Sequence, residues 1–175
     1  MTVSVQDRHA WALERLNPAP GEVLLEAGCG HGILLGLIAA RLDSGHITGL
    51  DRSAKMIAAA AKRNADLLAN GRIRLVEGRL EAAPLGDERF DRVIAARVNA
   101  FWLDPAPVLS AASGLLRPGG TLELFFDPPD ARKLPELVRR LEAGVSPHGF
   151  VSEIVTAENT PWGSGLHMTA RPAGA

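Results

Sequence analysis

The segment LLEAGCGHGILLG, residues 24–36, carries glycine at three alternate positions, Gly28, Gly30 and Gly32, between two apolar runs. A glycine that follows a strand can adopt a positive φ and lets the backbone pass close to a ligand. The helix after such a turn points its free N–H groups toward the same place. The spacing therefore predicts that a ligand binds against this turn.

The spacing of the glycines argues against a nicotinamide dinucleotide as that ligand. The dinucleotide fingerprint is G-x-G-x-x-G, with a phosphate at the start of the helix. Here residue 33 is isoleucine, so the pattern is G-x-G-x-G, and an acid, Glu26, lies two residues before the first glycine. The glycine turn remains a ligand site, but the fingerprint does not fit a nicotinamide cofactor.

These residues need a scaffold, and the chain alternates between strand-like and helix-like segments. Strands are predicted at 22–27, 46–51, 73–78, 90–98, 117–126, 150–157 and 166–172, and helices at 4–16, 33–42, 53–69, 105–116 and 131–144. The alternation predicts an α/β fold with a seven-stranded, mostly parallel, doubly wound sheet and helices on both faces. Only the loop 158–165 separates the last two strands, which predicts an antiparallel C-terminal hairpin. Ligands bind such sheets beyond the carboxyl ends of the strands, where the glycines lie.

Composition narrows the classes of protein. The chain has 175 residues, 46% of them hydrophobic, which suits one domain over 1–175. A formal net charge of -1 argues against a general nucleic-acid or membrane-surface binder. The lone cysteine, Cys29, excludes an intrachain disulfide and a zinc cluster built on several cysteines, and no metal site is predicted. The N-terminus shows neither an apolar export signal nor a membrane span, so a cytoplasmic location is expected.

Five motifs occur in an order and spacing that are informative together. They are LLEAGCGHG, the acid Asp51 at the end of the second strand, EGRLEAAPL, FDRVIAARV and LLRPGGTLELF, and they span about residues 22–126. In these motifs the chain resembles the class I S-adenosylmethionine-dependent methyltransferases. The resemblance implies S-adenosylmethionine as cofactor and S-adenosylhomocysteine as product. It divides the domain into a short N-terminal helix 4–16, a cofactor-binding half 22–98 and an acceptor-side half 99–175.

The resemblance also implies a role for each matching residue. The three glycines, with Cys29 between them, form the turn under the methionine part of the cofactor. Glu26 faces the amino group of the cofactor, directly or through water, and Asp51 accepts both ribose hydroxyls, with Arg52 beside it. The remaining cofactor contacts are Met56 near the adenine, the Leu80 N–H on the adenine ring, and the carbonyl near Arg97 on the amino group. The residues alone leave simpler roles open: Glu26 as a solvated acid, Asp51 as a charge at the next helix start, and Cys29 as a packing residue.

One departure from the family pattern concerns the adenine. The family often has Gly-Asp-Ala where this chain has Gly78-Arg79-Leu80, so the usual aspartate acceptor for the adenine amino group is missing. Either Glu81 substitutes for it, or Arg79 stacks on the base.

The acceptor side has no recognisable catalytic motif. In-line transfer from a sulfonium depends mainly on positioning, which contributes about 7–11 kcal/mol, and no catalytic residue is assigned. Candidate acceptor contacts are His9 and Trp11 on the N-terminal helix, Asn99 and Trp102 after the fourth strand, Asp127 after the fifth, and His148 before the sixth. The site is expected to be covered by the N-terminal helix, by loops after the fourth and fifth strands, or by a second subunit in a homodimer.

The sequence favours a methyltransferase with a small-molecule acceptor. The basic helix RKLPELVRR, residues 132–140, keeps an RNA or protein acceptor as a second hypothesis. A non-catalytic S-adenosylmethionine-binding partner protein is the alternative from another class, and turnover against an acceptor library separates the two.

Overall fold

Strands and helices alternate along the chain, as the sequence predicts. The structure, a computed structural model, describes residues 5–128, 130–160 and 162–174, and of residues 5–7 and 155–160 it describes the backbone only. The strands are β1 (Val23–Ala27), β2 (His46–Asp51), β3 (Ile73–Glu77), β4 (Phe90–Ala96), β5 (Leu116–Phe126), β6 (Phe150–Thr160) and β7 (Gly163–Pro172). The α-helices are α1 (Val5–Leu16), α2 (Ile33–Ala39), α3 (Ala54–Arg63), α4 (Ala65–Ala69), α5 (Ala100–Leu103), α6 (Pro105–Leu115) and α7 (Leu134–Val145). Short 3-10 turns cover Leu80–Ala82, Ala131–Lys133 and Ser146–His148.

The seven strands form one sheet in the order β3-β2-β1-β4-β5-β7-β6. Strands β1 to β5 pair in parallel, and β7 pairs antiparallel with both β5 and β6. The strand order reverses between β1 and β4, which is where such sheets bind ligands. The predicted α/β fold, its doubly wound sheet and its antiparallel C-terminal hairpin are confirmed.

The sheet is buried on both faces, and β1 shows why. Leu24 and Leu25 are both fully buried, but they point to opposite faces because side chains alternate along a strand. Leu24 packs in a cluster with α1 and α2, whereas Leu25 packs in a second cluster with α6 and α7. Continuous apolar runs are therefore required in the parallel strands.

The structure differs from the predicted elements in three places. The predicted helix 53–69 is interrupted at Asn64, whose backbone leaves the helical region at φ -115° and ψ 32°. Helix α5 was not predicted, and β6 and β7 extend into the predicted loop 158–165, whose Pro161 lies outside the described residues. The predicted helix 4–16 corresponds to α1, and Ser4 also lies outside the described part of the chain.

Candidate functional site

The glycine turn after β1 is held against the end of β2. The N–H groups of Gly28 and Cys29 both donate to the Leu50 carbonyl, at 2.7 and 3.0 Å. Gly28, Gly30 and Gly32 have φ values of 75°, 51° and 70°, the left-handed region that glycine adopts without strain. All three glycines are therefore required by the backbone path.

Space around the turn distinguishes Gly30 from the other two glycines. A Cβ at Gly28 would lie 2.7 Å from Val98 Cγ2, and one at Gly32 would lie 2.7 Å from Asn64 Nδ2. A Cβ at Gly30 would have no protein atom within 4 Å. Gly28 and Gly32 are needed for close packing, whereas Gly30 presents bare backbone to open space.

Asp51 connects the glycine turn to the start of α3. Its Oδ2 accepts from the Gly30 N–H and its Oδ1 from the Ser53 N–H, both at 2.9 Å. A carboxylate has about four lone-pair sites, so each oxygen keeps capacity for one further hydrogen bond. Asp51 thus has the local role at the helix start that the sequence left open, and it can still accept from a ligand.

Glu26 is a buried acid on the α2 side of β1. Only 3% of its surface is exposed, and its Oε2 has no hydrogen-bond partner among the described residues. Burial raises the pKa of Glu26 to about 8; the Arg97 guanidinium opposes this shift, and the Asp51 carboxylate adds to it. A buried, unpaired carboxylate oxygen is costly, which excludes the solvated role and points to a cationic or donor group of a ligand.

Arg97 at the end of β4 has an unusual backbone conformation. Its φ is 61°, in the left-handed region that non-glycine residues rarely adopt. Its N–H donates to the Phe125 carbonyl at 2.8 Å, its Nη2 donates to His9 Nε2 at 3.3 Å, and its Nε lies 3.7 Å from Asp127 Oδ1. These contacts hold Arg97 where the ends of β1, β4 and β5 meet.

A crevice runs along the carboxyl ends of β1, β2 and β4. Its larger part, of about 580 Å³, is lined among others by Gly28, Asp51, Arg52, Arg79, Leu80, Glu81 and Arg97. Its smaller part, of about 160 Å³, is lined by Glu26, Gly28, Cys29, Gly30 and Arg97, with His9 and His31. Nine of the eleven predicted cofactor contacts therefore meet in one crevice.

The other two predicted cofactor contacts lie beside the crevice and do not line it. Gly32 packs against Asn64 and Ala60. Met56 lies in the first turn of α3, where its N–H donates to Ser53 Oγ, and its contact with a base stays a prediction. The Cys29 side chain is buried in the α1–α2 cluster, and burial raises the pKa of its thiol, which agrees with a packing role.

A second pocket of about 620 Å³ adjoins the crevice at Arg97 and Asn99. It brings together three of the six predicted acceptor contacts, Asn99, Trp102 and Asp127. Its opposite wall is α7 and the turn before it, with Lys133, Glu136, Leu137 and Arg140. This wall was not predicted as part of the site, although the i, i+3, i+4, i+7 spacing places all four residues on one helical face.

The other three predicted acceptor contacts lie elsewhere. His9 lines the smaller part of the crevice, beside Arg97. Trp11 packs edge-on against Phe125 and Trp162, with ring centroids 5.9 and 6.1 Å apart, around a gap of only about 20 Å³. His148 is exposed just before β6. Because β6 and β5 both run antiparallel to β7, β6 begins at the edge opposite the crevice. The prediction that His148 contacts the acceptor does not agree with this position.

Comparison with known proteins identifies the family. A family model described as Methyltransferase domain matches residues 25–124, which run from β1 to β5 and include the glycine turn. The chain belongs to this methyltransferase family. The resemblance to class I S-adenosylmethionine-dependent methyltransferases is thereby confirmed.

Individual relatives of this methyltransferase domain agree with the assignment. The uncharacterized methyltransferase YdaC of Bacillus subtilis is 29% identical over 136 residues, which cover 78% of this chain and 73% of YdaC. Nocamycin O-methyltransferase of Saccharothrix syringae is 34% identical over 125 residues, covering 69% of this chain and 44% of that protein. The chain likewise spans only 31–53% of several other curated relatives.

Solved structures share the fold of this methyltransferase domain. A methyltransferase from Pyrococcus furiosus superposes with a TM-score of 0.73 at 20% identity, covering 97% of this chain and 84% of that one.

No helix in the described ranges has the length and apolar character needed to cross a bilayer. Within the same ranges, no group of three or more His, Cys, Asp or Glu residues is arranged to hold a metal ion.

Proposed function

We propose that this chain binds S-adenosylmethionine in the crevice and transfers its methyl group to a small-molecule acceptor. The observation that carries the proposal is the unpaired Oε2 of buried Glu26 beside the glycine turn. The ammonium group of a methionine moiety is a donor of the right charge for this oxygen, since hydrogen bonds between charged groups are the strong ones.

The larger part of the crevice suits the adenosine moiety. Each oxygen of Asp51 has one backbone N–H partner and keeps capacity for a ribose hydroxyl. Because Gly30 has no side chain, the space beside the turn is open, and the atoms of the cofactor can approach the protein backbone there. Arg79 is exposed and Leu80 is buried where they line this part, in agreement with base contacts at this end.

Binding and orientation are the contributions of the protein in this proposal. When bound, S-adenosylmethionine supplies a sulfonium-bound methyl group, and the acceptor atom takes the methyl while the electrons of the broken bond stay on sulfur. Glu26 and Asp51 hold the methionine and ribose parts of the cofactor, and the pocket beyond Arg97 and Asn99 positions the acceptor. Such positioning supplies a large share of the barrier reduction.

A small-molecule acceptor fits the size of the second pocket. About 620 Å³ lies within the usual range for small-molecule sites, about 300–1,000 Å³. The relative from Saccharothrix syringae is named as an O-methyltransferase.

We also infer a single domain, with the cofactor contacts in residues 22–98 and most acceptor contacts in residues 99–175. A homodimer and a cytoplasmic location stay predictions from the sequence.

Alanine substitutions at two glycines test the proposed cofactor site. Gly30 and Gly119 both have positive φ and open space around the Cβ position, but Gly119 lies in the irregular first part of β5, at the opposite edge of the sheet. Each Gly→Ala change should cost the folded state about 1–2 kcal/mol through backbone strain. Only Gly30→Ala should also weaken S-adenosylhomocysteine, by at least about tenfold, because its methyl group occupies the cofactor cradle.

Isothermal titration and thermal unfolding measure the two effects separately. Equal S-adenosylhomocysteine affinity in the two variants would remove the crevice as the cofactor site. Stabilisation of the parent protein by NAD, with none by S-adenosylhomocysteine, would overturn the proposed cofactor.

A further inference from the structure

The acceptor pocket combines an apolar floor with charged walls. Phe126, Pro128, Leu137 and the ring of Trp102 line it, and it meets the crevice at Arg97 and Asn99. An apolar enclosure with a few convergent polar groups is the usual form of a small-molecule site, in which the polar groups set specificity. The charges on the walls therefore indicate which acceptors the pocket selects.

Positive charge exceeds negative charge at this pocket. The wall has two carboxylates, and each contacts two arginines. Glu136 binds Arg139 and Arg140, at 2.6 and 2.7 Å.

The second carboxylate is equally neutralised. Asp127 lies 2.7 Å from Arg8 Nη1 and 3.7 Å from Arg97 Nε. Lys133, on the same wall, forms no salt bridge in the part of the chain that the structure describes. Both acids are thus ion-paired within the protein, whereas Lys133 is a cation on this wall with which a ligand anion can pair.

A flat surface lies next to these cations. The guanidinium carbon of Arg140 is 5.5 Å from the ring centroid of Trp102, and Trp102 Nε1 donates to Asn99 Oδ1 at 3.3 Å. These contacts orient the indole ring in the pocket between the Asn99 end and the α7 wall. A planar ring can pack on such an aromatic face, and offset stacking adds about 0.5–1.5 kcal/mol beyond area burial.

We infer that the acceptor is a flat, anionic small molecule, such as an aromatic carboxylate, whose ring packs on Trp102 and whose anionic group pairs with Lys133 and Arg140. The inference rests on the proposed function, because it assigns the acceptor class of the same site. It gives the basic face of α7 a small-molecule role in place of RNA binding. An RNA backbone needs several phosphate contacts along a basic stripe, whereas the cations here line one pocket beside Trp102.

Binding of three matched probes to the protein saturated with S-adenosylhomocysteine tests the acceptor class. The probes are 2-naphthoate, the neutral isostere 2-naphthamide and the cation 2-naphthylmethylammonium, measured by isothermal titration at low salt. Naphthoate should bind at least about tenfold more tightly than the amide, and the cation should bind most weakly. A preference that disappears at high salt agrees with partly exposed charges.

Substitutions on α7 and in the turn before it locate the effect, with a matched control on α7. Lys133→Gln and Arg140→Gln should each weaken naphthoate about 5- to 10-fold and leave the amide unchanged. Arg139→Gln removes an arginine that pairs with the same Glu136 but does not line the pocket, and it should change neither probe. Trp102→Leu should weaken naphthoate and amide alike.

The outcomes separate this inference from the proposed function. Failure of S-adenosylhomocysteine itself to bind the parent protein contradicts the proposed function. Normal S-adenosylhomocysteine binding with equal affinity for naphthoate and naphthamide, or an equal loss in Arg139→Gln, overturns the acceptor class alone. A third outcome favours RNA as the ligand. In it, a single-stranded RNA decamer binds tightly, Lys133→Gln, Arg140→Gln and Arg139→Gln each weaken it, and naphthoate does not bind; this outcome also overturns the acceptor class.

Discussion

Cofactor binding should release a proton from Glu26. In the free protein, burial raises the pKa of this carboxyl group to about 8, so it is mostly protonated near neutral pH. An ammonium group placed against Oε2 favours the ionised carboxylate and lowers that pKa. Association of S-adenosylhomocysteine is therefore linked to proton loss, and its affinity should rise with pH.

The magnitude follows from the pKa of Glu26. With Glu26 of the complex ionised down to about pH 5, nearly one proton is released per ligand bound below about pH 7, and the association constant should rise nearly tenfold per pH unit. Between about pH 5.5 and pH 7 the expected gain is about 30-fold. The ligand ammonium stays protonated in this range, because even the α-amino group at a peptide N-terminus titrates only at about 7.7–8.0.

The raised pKa of Glu26 has the opposite effect on the stability of the free protein, which should fall as the pH rises. The folded pKa of Glu26 lies above the ordinary value of 4.5, so its contribution to stability is fully present below that pH. It is lost as the pH rises from 4.5 toward about 8. Glu26→Gln cannot ionise, so this component should disappear from the pH dependence of unfolding.

Isothermal titration in two buffers of different ionisation enthalpy counts the released protons directly. Glu26→Gln should abolish both the proton release and the 5.5-to-7 gain in affinity, whereas the same change at exposed Glu142 on α7 should alter neither. Parent protein that binds S-adenosylhomocysteine equally well across this range, with no buffer-dependent heat, would refute the assignment of Glu26 to the cofactor ammonium.

The remaining predictions concern the adenosine half of the crevice. Asp51→Asn should weaken S-adenosylhomocysteine at least about tenfold and also lower the unfolding temperature of the free protein, because the amide replaces an acceptor for the Gly30 or Ser53 N–H. Unchanged affinity with earlier melting would show that Asp51 serves only the turn and the helix start. Arg79→Ala should reduce affinity by about 0.5–2 kcal/mol if the guanidinium stacks on adenine, and Arg41→Ala, at an exposed site outside the crevice, is the control. Equal affinities in these two variants would leave the adenine to other groups.

Local patterns in the sequence sufficed for the order of strands and helices and for the position of the cofactor crevice. Apolar runs bounded by turn residues identify each parallel strand, because a strand buried on both faces tolerates few polar residues. The glycine turn and Asp51 are close to the ends of consecutive strands. In the pairing of β1 with β2, Val23 lies opposite His46 at one end and Ala27 lies opposite Leu50 at the other. Neighbouring parallel strands must bring such ends together, so most cofactor contacts could be predicted.

Only the tertiary structure decided how deeply these residues are buried and which residues from distant parts of the chain lie beside them. Burial of Glu26 depends on α2 and on the sheet face it points to, so its raised pKa has no local signal. The path of β6 beyond β7 placed His148 at the far edge, and packing of α7 against α5, α6, β6 and β7 brought Lys133 and Arg140 to Trp102. Contacts between residues far apart in the chain depend on helix placement and strand direction. The spacing of residues along one segment encodes neither of these.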